Sequence, residues 1–313
     1  MSTTNFSSGR SHTKSDEELL CSPSLVGGLQ QQLSICFLAV DILLSITAFA
    51  GNFLILVALH KESSLHPPSK LLYCCLATTD LLVGLVSLPL SVLYWMSVVQ
   101  EHWNLCRYAR DAADITGYVL FLVSLMTMTA ISVDRLLALL LGLRYKQIVT
   151  LKRTYIIVTT FWVFNLVASL SELFHHRIIF WYCCLVTSFC LVISVASYTK
   201  IFCTLRYHQA QVRDQQQLSQ TNALNMARFR KAVYSALWVQ LVLVVCYVPK
   251  FIITIVIIQR KTHSSHIIIV DGITSLAVYL NSALNPFIYC WKIREVRQAV
   301  KKTIRRALCC TWT

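Results

Sequence analysis

Charged residues are scarce in this chain. Asp, Glu, Lys and Arg make up 13% of its 313 residues, where an ordinary soluble domain carries about 25%. That deficit is at odds with a water-soluble fold of this length. Other features are missing as well. The polar stretch before Ile35 has no signal-peptide core, so the first apolar segment is expected to act as its own targeting signal. No internal repeat, linker or second domain is visible, which weighs against the repeat-built transporter folds. The line of charges stops at Asp80, so no continuous charged path crosses the apolar segments as a transporter or channel would require. Those segments hold no nucleophile–base pair and no metal-ligand motif, and the chain is read as no enzyme. The 13 cysteines lack the spacing of a secreted disulfide framework.

What is present is hydrophobicity. Apolar residues reach 56% and fall in long blocks, read as seven spans: Ile35–Leu59, Leu71–Val98, Leu105–Leu140, Thr154–Leu173, Ile178–Leu205, Phe229–Ile258 and Ser265–Trp291. Each can cross a hydrocarbon core of ~30 Å, which takes about 20 helical residues. The longer ones imply tilt or extension past the bilayer. With the amino terminus outside, the inner side collects most of the 28 Lys and Arg residues, among them Lys61, Lys70, Arg144, Lys146, Arg153, Arg230, Lys231, Arg297, Lys301 and Arg305. This asymmetry satisfies the positive-inside rule, and no nucleic-acid partner is needed to explain the basic balance. The expected fold is all-α. An extracellular tail (1–34) precedes a seven-transmembrane helix bundle (35–291). An amphipathic eighth helix on the cytoplasmic membrane surface and a short tail follow (292–313).

Smaller features fit this topology. Asn5-Phe6-Ser7 is a glycosylation sequon on the outer side. Tyr207–Met226, with its run of glutamines, reads as a cytoplasmic loop or helical extension. Cys36, Cys74, Cys75, Cys190, Cys203, Cys246 and Cys290 lie within spans and read as small apolar packers. Ile293, Val296, Val300, Ile304 and Leu308 recur at helical spacing among basic residues, the pattern of a helix lying on a membrane surface. Cys309 and Cys310 at its end are candidates for palmitoylation.

The seventh span contains Asn281-Ser282-Ala283-Leu284-Asn285-Pro286-Phe287-Ile288-Tyr289. Two asparagines and a proline inside a membrane helix are costly, because each leaves polar groups away from water. They mark a polar network or a kink. This string resembles the seventh helix of the rhodopsin-like (class A) G-protein-coupled receptors. The other spans extend the resemblance in order over residues 35–308. They contribute Gly51-Asn52, Leu76-Ala77-Thr78-Thr79-Asp80, Asp134-Arg135-Leu136, Trp162, Tyr198 and Cys246-Tyr247-Val248-Pro249.

The resemblance implies specific roles. Asp80, a carboxylate near mid-membrane, needs a cation, a proton or hydrogen-bond donors. Its family-matched neighbours are Asn52, Ser124, Asn281, Ser282 and Asn285, whose oxygens suit Na⁺ as an allosteric ion, the alternative being a satisfied hydrogen-bond cluster. No other cofactor is implied. Arg135 would pair with Asp134 at rest and swing toward Tyr198 and Tyr289 on activation, opening a crevice for a heterotrimeric G protein. Leu143 would pack against that partner. Helix 6 would hinge at Cys246, Tyr247 and Pro249. Arrestin and a receptor kinase are further implied partners.

Several positions depart from the family pattern. Tyr247 stands where a tryptophan is usual, Cys190 where helix 5 has proline, Leu243 where helix 6 has phenylalanine, and Gly142 where a proline precedes Leu143. Arg110 occupies the place of the helix 3 cysteine, and Cys106 lies one turn farther out. Its expected partner is Cys183, Cys184 or Cys21, or none. The short second outer loop is similar to that of the melanocortin, cannabinoid, lysophospholipid and adenosine-type receptors. Ligand-binding candidates are Asp111, Asp114, Gly117, Lys250, Asp271 and Ser275. Lys250 receives an acidic ligand group, or forms an internal pair with Asp271 or Asp114. An amine-binding aspartate would fall at Gly117 and is absent. Asp111 and Asp114 are similar to the acidic, calcium-assisted site of melanocortin receptors, although Leu90 stands where those have glutamate.

The resulting reading is a plasma-membrane receptor. It converts binding of an extracellular small molecule, lipid or peptide into G-protein activation through helix 6 movement. Alternatives are a constitutively active or orphan receptor of the same fold, and, in another class, a transporter or channel.

Overall fold

A computed structural model describes residues 21, 28–61, 65–171, 176–214, 244–256, 265–292 and 294–310. The described residues are helical almost throughout, with no strand among them. We number the helices α1 (Gly28–Lys61), α2 (Pro67–Val99), α3 (Trp103–Leu141), α4 (Leu151–Leu170), α5 (His176–Asp214), α6 (Val244–Val256), α7 (Ser265–Lys292) and α8 (Arg294–Cys310). The all-α expectation and the order of the spans hold. Boundaries shift: α1 begins within the stretch assigned to the tail, and α5 continues to Asp214 into the glutamine-rich segment. The amino-terminal half of the sixth span lies outside the described residues.

Local sequence accounts for the helix ends. Pro67 and Pro68 open α2, where their fixed φ fits the first turn and no N–H is needed. Gly142 closes α3 with φ +51° and leads into a 3₁₀ turn, Gly142–Arg144. One feature of α2 was not anticipated, a π-helical turn at Val83–Ser87. Gly84 in that turn meets the α1 backbone: a Cβ there would sit 2.6 Å from the Phe49 amide nitrogen. The Ser45 hydroxyl donates to the Gly84 carbonyl at 2.7 Å, satisfying part of the disturbed ladder.

α1 packs on α2, α7 and α8, while α3 is the central helix, touching α2, α4 and α5. Leu43, Ile46, Phe53, Phe164, Val167, Phe189 and Val192 point outward. Such a surface is untenable in water and suits lipid chains. Because lipid is as apolar as the interior, helix association depends on close packing. Gly51 provides it, since a Cβ at this position would lie 2.8 Å from the Pro286 ring of α7. α8 turns its apolar stripe inward, burying Val296, Ala299 and Val300 with Ile55, Ala58 and Leu59. Cys75, Cys190 and Cys246 are buried as expected, whereas Cys36 and Cys203 face outward.

At the opposite end of the bundle, Cys21 and Cys106 form a disulfide with a Cα–Cα separation of 6.0 Å, packed with Val98, Tyr94 and Trp103. The open choice of partner for Cys106 thus resolves to Cys21. Cys183 and Cys184 are not disulfide-bonded.

Candidate functional site

The sequence-predicted residues gather in three layers along the bundle axis. The middle layer surrounds Asp80. This carboxylate is fully buried, and the Asn285 side-chain amide donates to its Oδ2 at 2.6 Å. The Ser282 hydroxyl stands beside it. Asn52 donates to the carbonyls of Ala48 (2.9 Å) and Ser282 (3.0 Å), joining α1 to α7. Asn281 donates to the Tyr247 hydroxyl at 3.0 Å. Tyr247 also meets the Phe121 ring at 5.0 Å between centroids. Its hydroxyl therefore ties α6 to α7, a contact that the usual tryptophan could not make in this form.

The layer is incompletely satisfied. Asp80 Oδ1, Asn52 Oδ1 and Asn285 Oδ1 are enclosed without a hydrogen-bond partner among the described residues, and the Ser124 hydroxyl lies beside that of Tyr247. Orphaned oxygens are costly in a buried site. A carboxylate, a hydroxyl and amide carbonyls are the donor set that suits a hard cation, so the residues present fit Na⁺.

The second layer lies at the α8 end. Asp134 is buried and its carboxylate is shared. The Tyr145 hydroxyl donates to Oδ1 at 2.6 Å and the Ser69 hydroxyl to Oδ2 at 2.9 Å. Arg135 reaches Oδ2 only at 3.5 Å, and its guanidinium also lies over the Tyr73 ring at 5.6 Å. The expected Asp134–Arg135 pair is present, but it is one of three contacts on that acid. Ser69 and Tyr145 were missed by the sequence reading, and no local pattern marks them: α2 and the segment after α3 supply them across the fold. Tyr198 accepts a hydrogen bond from Ser132 at 3.1 Å. The Tyr289 hydroxyl is enclosed without a partner among the described residues, its ring edge-on to Tyr73. Leu143 projects into the surroundings, 98% exposed.

The third layer lies toward the disulfide end. Lys250 donates to Asp271 Oδ1 at 2.6 Å and to the Ser275 hydroxyl at 2.9 Å, bridging α6 and α7. Of the two internal pairs considered for Lys250, the one with Asp271 is formed. Asp114 instead approaches Arg110 one turn back on α3, at 3.5 Å. Asp111 is exposed on the same helix. No cluster of three or more His, Cys, Asp or Glu side chains suited to a metal occurs among the described residues. Gly117 faces Ser87 and Tyr279, whose hydroxyls lie 3.3 Å apart. α6 runs unbroken through Cys246, Tyr247 and Pro249. Asn5 lies outside the described residues; α8 extends through Cys309 and Cys310.

Helices α1 to α7, a polar layer at mid-bundle and an arginine at the α8 end of α3 define a membrane receptor scaffold. The sequence model of the 7 transmembrane receptor (rhodopsin family) matches residues 51–178 and 172–289. The chain belongs to that family: it is a multi-pass membrane protein and a G-protein-coupled receptor. Its relatives include the melanocortin receptor 4 of Danio rerio, 24% identical over 276 residues, covering 86% of this chain and 82% of that protein. The melanocortin receptor 5 of Homo sapiens is 23% identical over 286 residues, covering 87% of this chain and 85% of that protein. Neither relative is a transporter or an enzyme by name.

Proposed function

We propose that the chain is a plasma-membrane receptor with its amino terminus and disulfide end outside and α8 on the cytoplasmic surface. A ligand entering from the disulfide end shifts a resting/active equilibrium by its difference in affinity for the two states. Na⁺ at mid-bundle, held by Asp80, Ser124 and Asn285 with Asn52, Asn281 and Ser282 around them, would supply a positive charge that favours the resting arrangement. Arg135 leaves Asp134 on activation and turns toward Tyr198 and Tyr289, as α6 moves about Pro249. The G protein docks beside Leu143, and arrestin and a receptor kinase are proposed to follow on the same face. Asn5 is the proposed glycosylation site, and Cys309 and Cys310 the proposed palmitoylation sites.

The observation that carries this reading is the set of enclosed oxygens, without a partner among the described residues, between the α6–α7 contact and the Arg135 cluster. Such a seam is costly in a fixed structure and useful in one with two states. The relatives' names refer to melanocortins, but we do not extend that ligand to this chain: Leu90 stands in place of the glutamate, and Arg110 occupies Asp114.

The test is nucleotide exchange on a purified heterotrimeric G protein by the full-length receptor in lipid nanodiscs, without and with a library of lipids, acidic metabolites, amines and peptides. Arg135→Ala should abolish exchange. Asp80→Asn should remove the difference in thermal stability between sodium and choline chloride. Unchanged exchange in the first variant, or an unchanged sodium effect in the second, counts against these roles. High exchange without any ligand would favour the constitutively active alternative.

A further inference from the structure

Asp41 of α1 is a second intramembrane carboxylate, 1% exposed, that the roles above do not use. It lies well away from the Asp80 layer, toward the disulfide end. The Ser91 hydroxyl of α2 donates to its Oδ2 at 2.6 Å. Oδ1 is enclosed and has no hydrogen-bond partner among the described residues. One neutral donor does not balance an ionised carboxylate in an apolar interior. Asp114 has Arg110 and Asp271 has Lys250, while no basic group pairs with Asp41 among the described residues.

The surroundings of this acid are aromatic. Phe37 lies one helical turn from Asp41 on α1, and Trp95 one turn from Ser91 on α2. Their rings meet at 4.8 Å between centroids, and Tyr94 meets Trp95 at 4.8 Å. Phe37 also seals against α7: a Cβ on Gly272 would sit 3.0 Å from its ring. On the other flank, partly buried Tyr279 stands within electrostatic reach of Asp41, Asp114 and Asp271. A carboxylate under an aromatic cap is the chemistry that recognises a cationic group, because charge pairing and the ring faces act together.

We propose that Asp41, Ser91, Phe37 and Trp95 form a subsite for the ammonium or guanidinium group of the ligand, between α1, α2 and α7. This supplies the carboxylate that Gly117 does not. The cation's N–H groups bond Oδ1, Ser91 continues to hold Oδ2, and the cation packs against the Phe37 and Trp95 faces once that pair parts. The proposal names the ligand class of the receptor reading above and rests on it only for the word ligand.

The experiment uses full-length receptor in nanodiscs with two probes of one shape, benzylamine (cationic at neutral pH) and benzyl alcohol. Direct binding is read by saturation-transfer NMR and thermal shift. Benzylamine should bind and stabilise the wild-type receptor, and benzyl alcohol should not. Asp41→Asn, which keeps an acceptor for Ser91, should weaken benzylamine binding by about tenfold or more. Trp95→Ala should weaken it by about threefold or more. Equal binding of both probes, no binding of benzylamine, or unchanged affinity in Asp41→Asn overturns the subsite. If Asp41→Asn fails to fold, the wild-type probe pair and Trp95→Ala still decide. G-protein exchange is measured separately: its failure would count against the receptor reading and leave the binding result standing.

Discussion

The Asn281 amide donates to the Tyr247 hydroxyl at 3.0 Å, and Asn285, one turn farther along α7, donates to Asp80 at 2.6 Å. α6 is thereby joined through one helix face to the mid-bundle acid. The residue that departs from the family pattern at position 247 thus replaces a bulky indole with a smaller ring whose hydroxyl enters the polar layer.

Tyr247→Phe keeps the ring and its Phe121 contact but strands the Asn281 amide, a cost of about 1–3 kcal/mol. We expect a lower unfolding midpoint and raised basal nucleotide exchange, because the lost bond belongs to the described arrangement. Equal midpoints and equal basal exchange for the two proteins would show that the hydroxyl does not hold α6 to α7.

The Lys250–Asp271 pair is partly open, with side chains 30% and 33% exposed. Pairs of that kind are worth about 0–1 kcal/mol. Lys250→Met should therefore change thermal stability little, yet abolish the response to any acidic agonist found in the library screen. Asp271→Asn, which releases the lysine, should raise that agonist's potency. Concentration–response curves for both variants are the measurement, and retained potency in Lys250→Met would exclude direct recognition by this lysine.

Gly84 and Gly117 make a matched comparison. A methyl group on Gly84 would press on the α1 backbone at 2.6 Å, whereas on Gly117 its nearest contacts are 3.7 Å away. Gly84→Ala should cost about 1–3 kcal/mol through overpacking and lower the folded yield. Gly117→Ala should fold like the parent. Size-exclusion yield and thermal midpoint in detergent distinguish the two, and an undisturbed Gly84→Ala would mean that the π turn yields more easily than its packing implies.

The Cys21–Cys106 disulfide closes a separation of 85 residues. Cys21→Ser or Cys106→Ser should lose about 2–4 kcal/mol of stability. Cys183→Ser and Cys184→Ser should leave the midpoint unchanged. Non-reducing peptide mapping checks the pairing directly; a linkage from Cys106 to either of the latter two would refute it.

Much of the architecture was legible in the chain. Long apolar runs and one-sided Lys and Arg placement report solvent preference residue by residue, so they need no tertiary information. The same is true of the α8 stripe, where Val296 and Val300 recur at helical spacing and are buried. The Asp80 layer was also legible, because a carboxylate and two asparagines in apolar surroundings stand out by cost alone. Asp41 met the same criterion and was passed over, since it matched no motif. The acid's environment, not its neighbours in sequence, gives it interest.

Pairings were less legible. Two partners had been open to Lys250 and three cysteines to Cys106, because choosing among them depends on where helix ends meet in space. Tyr145 and Ser69 reach Asp134 from separations of 11 and 65 residues, and the π turn of α2 answers to the approach of α1 at Gly84.

By itself, then, the amino-acid sequence determined that this protein spans a membrane as helices, in which order, and with which polar residues inside. The transfer free energy of each segment is a property of that segment. The folded bundle decided which of those polar groups satisfy one another and which remain unmet. Hydrogen bonds and ion pairs act only over a few ångströms, and helix packing sets those distances.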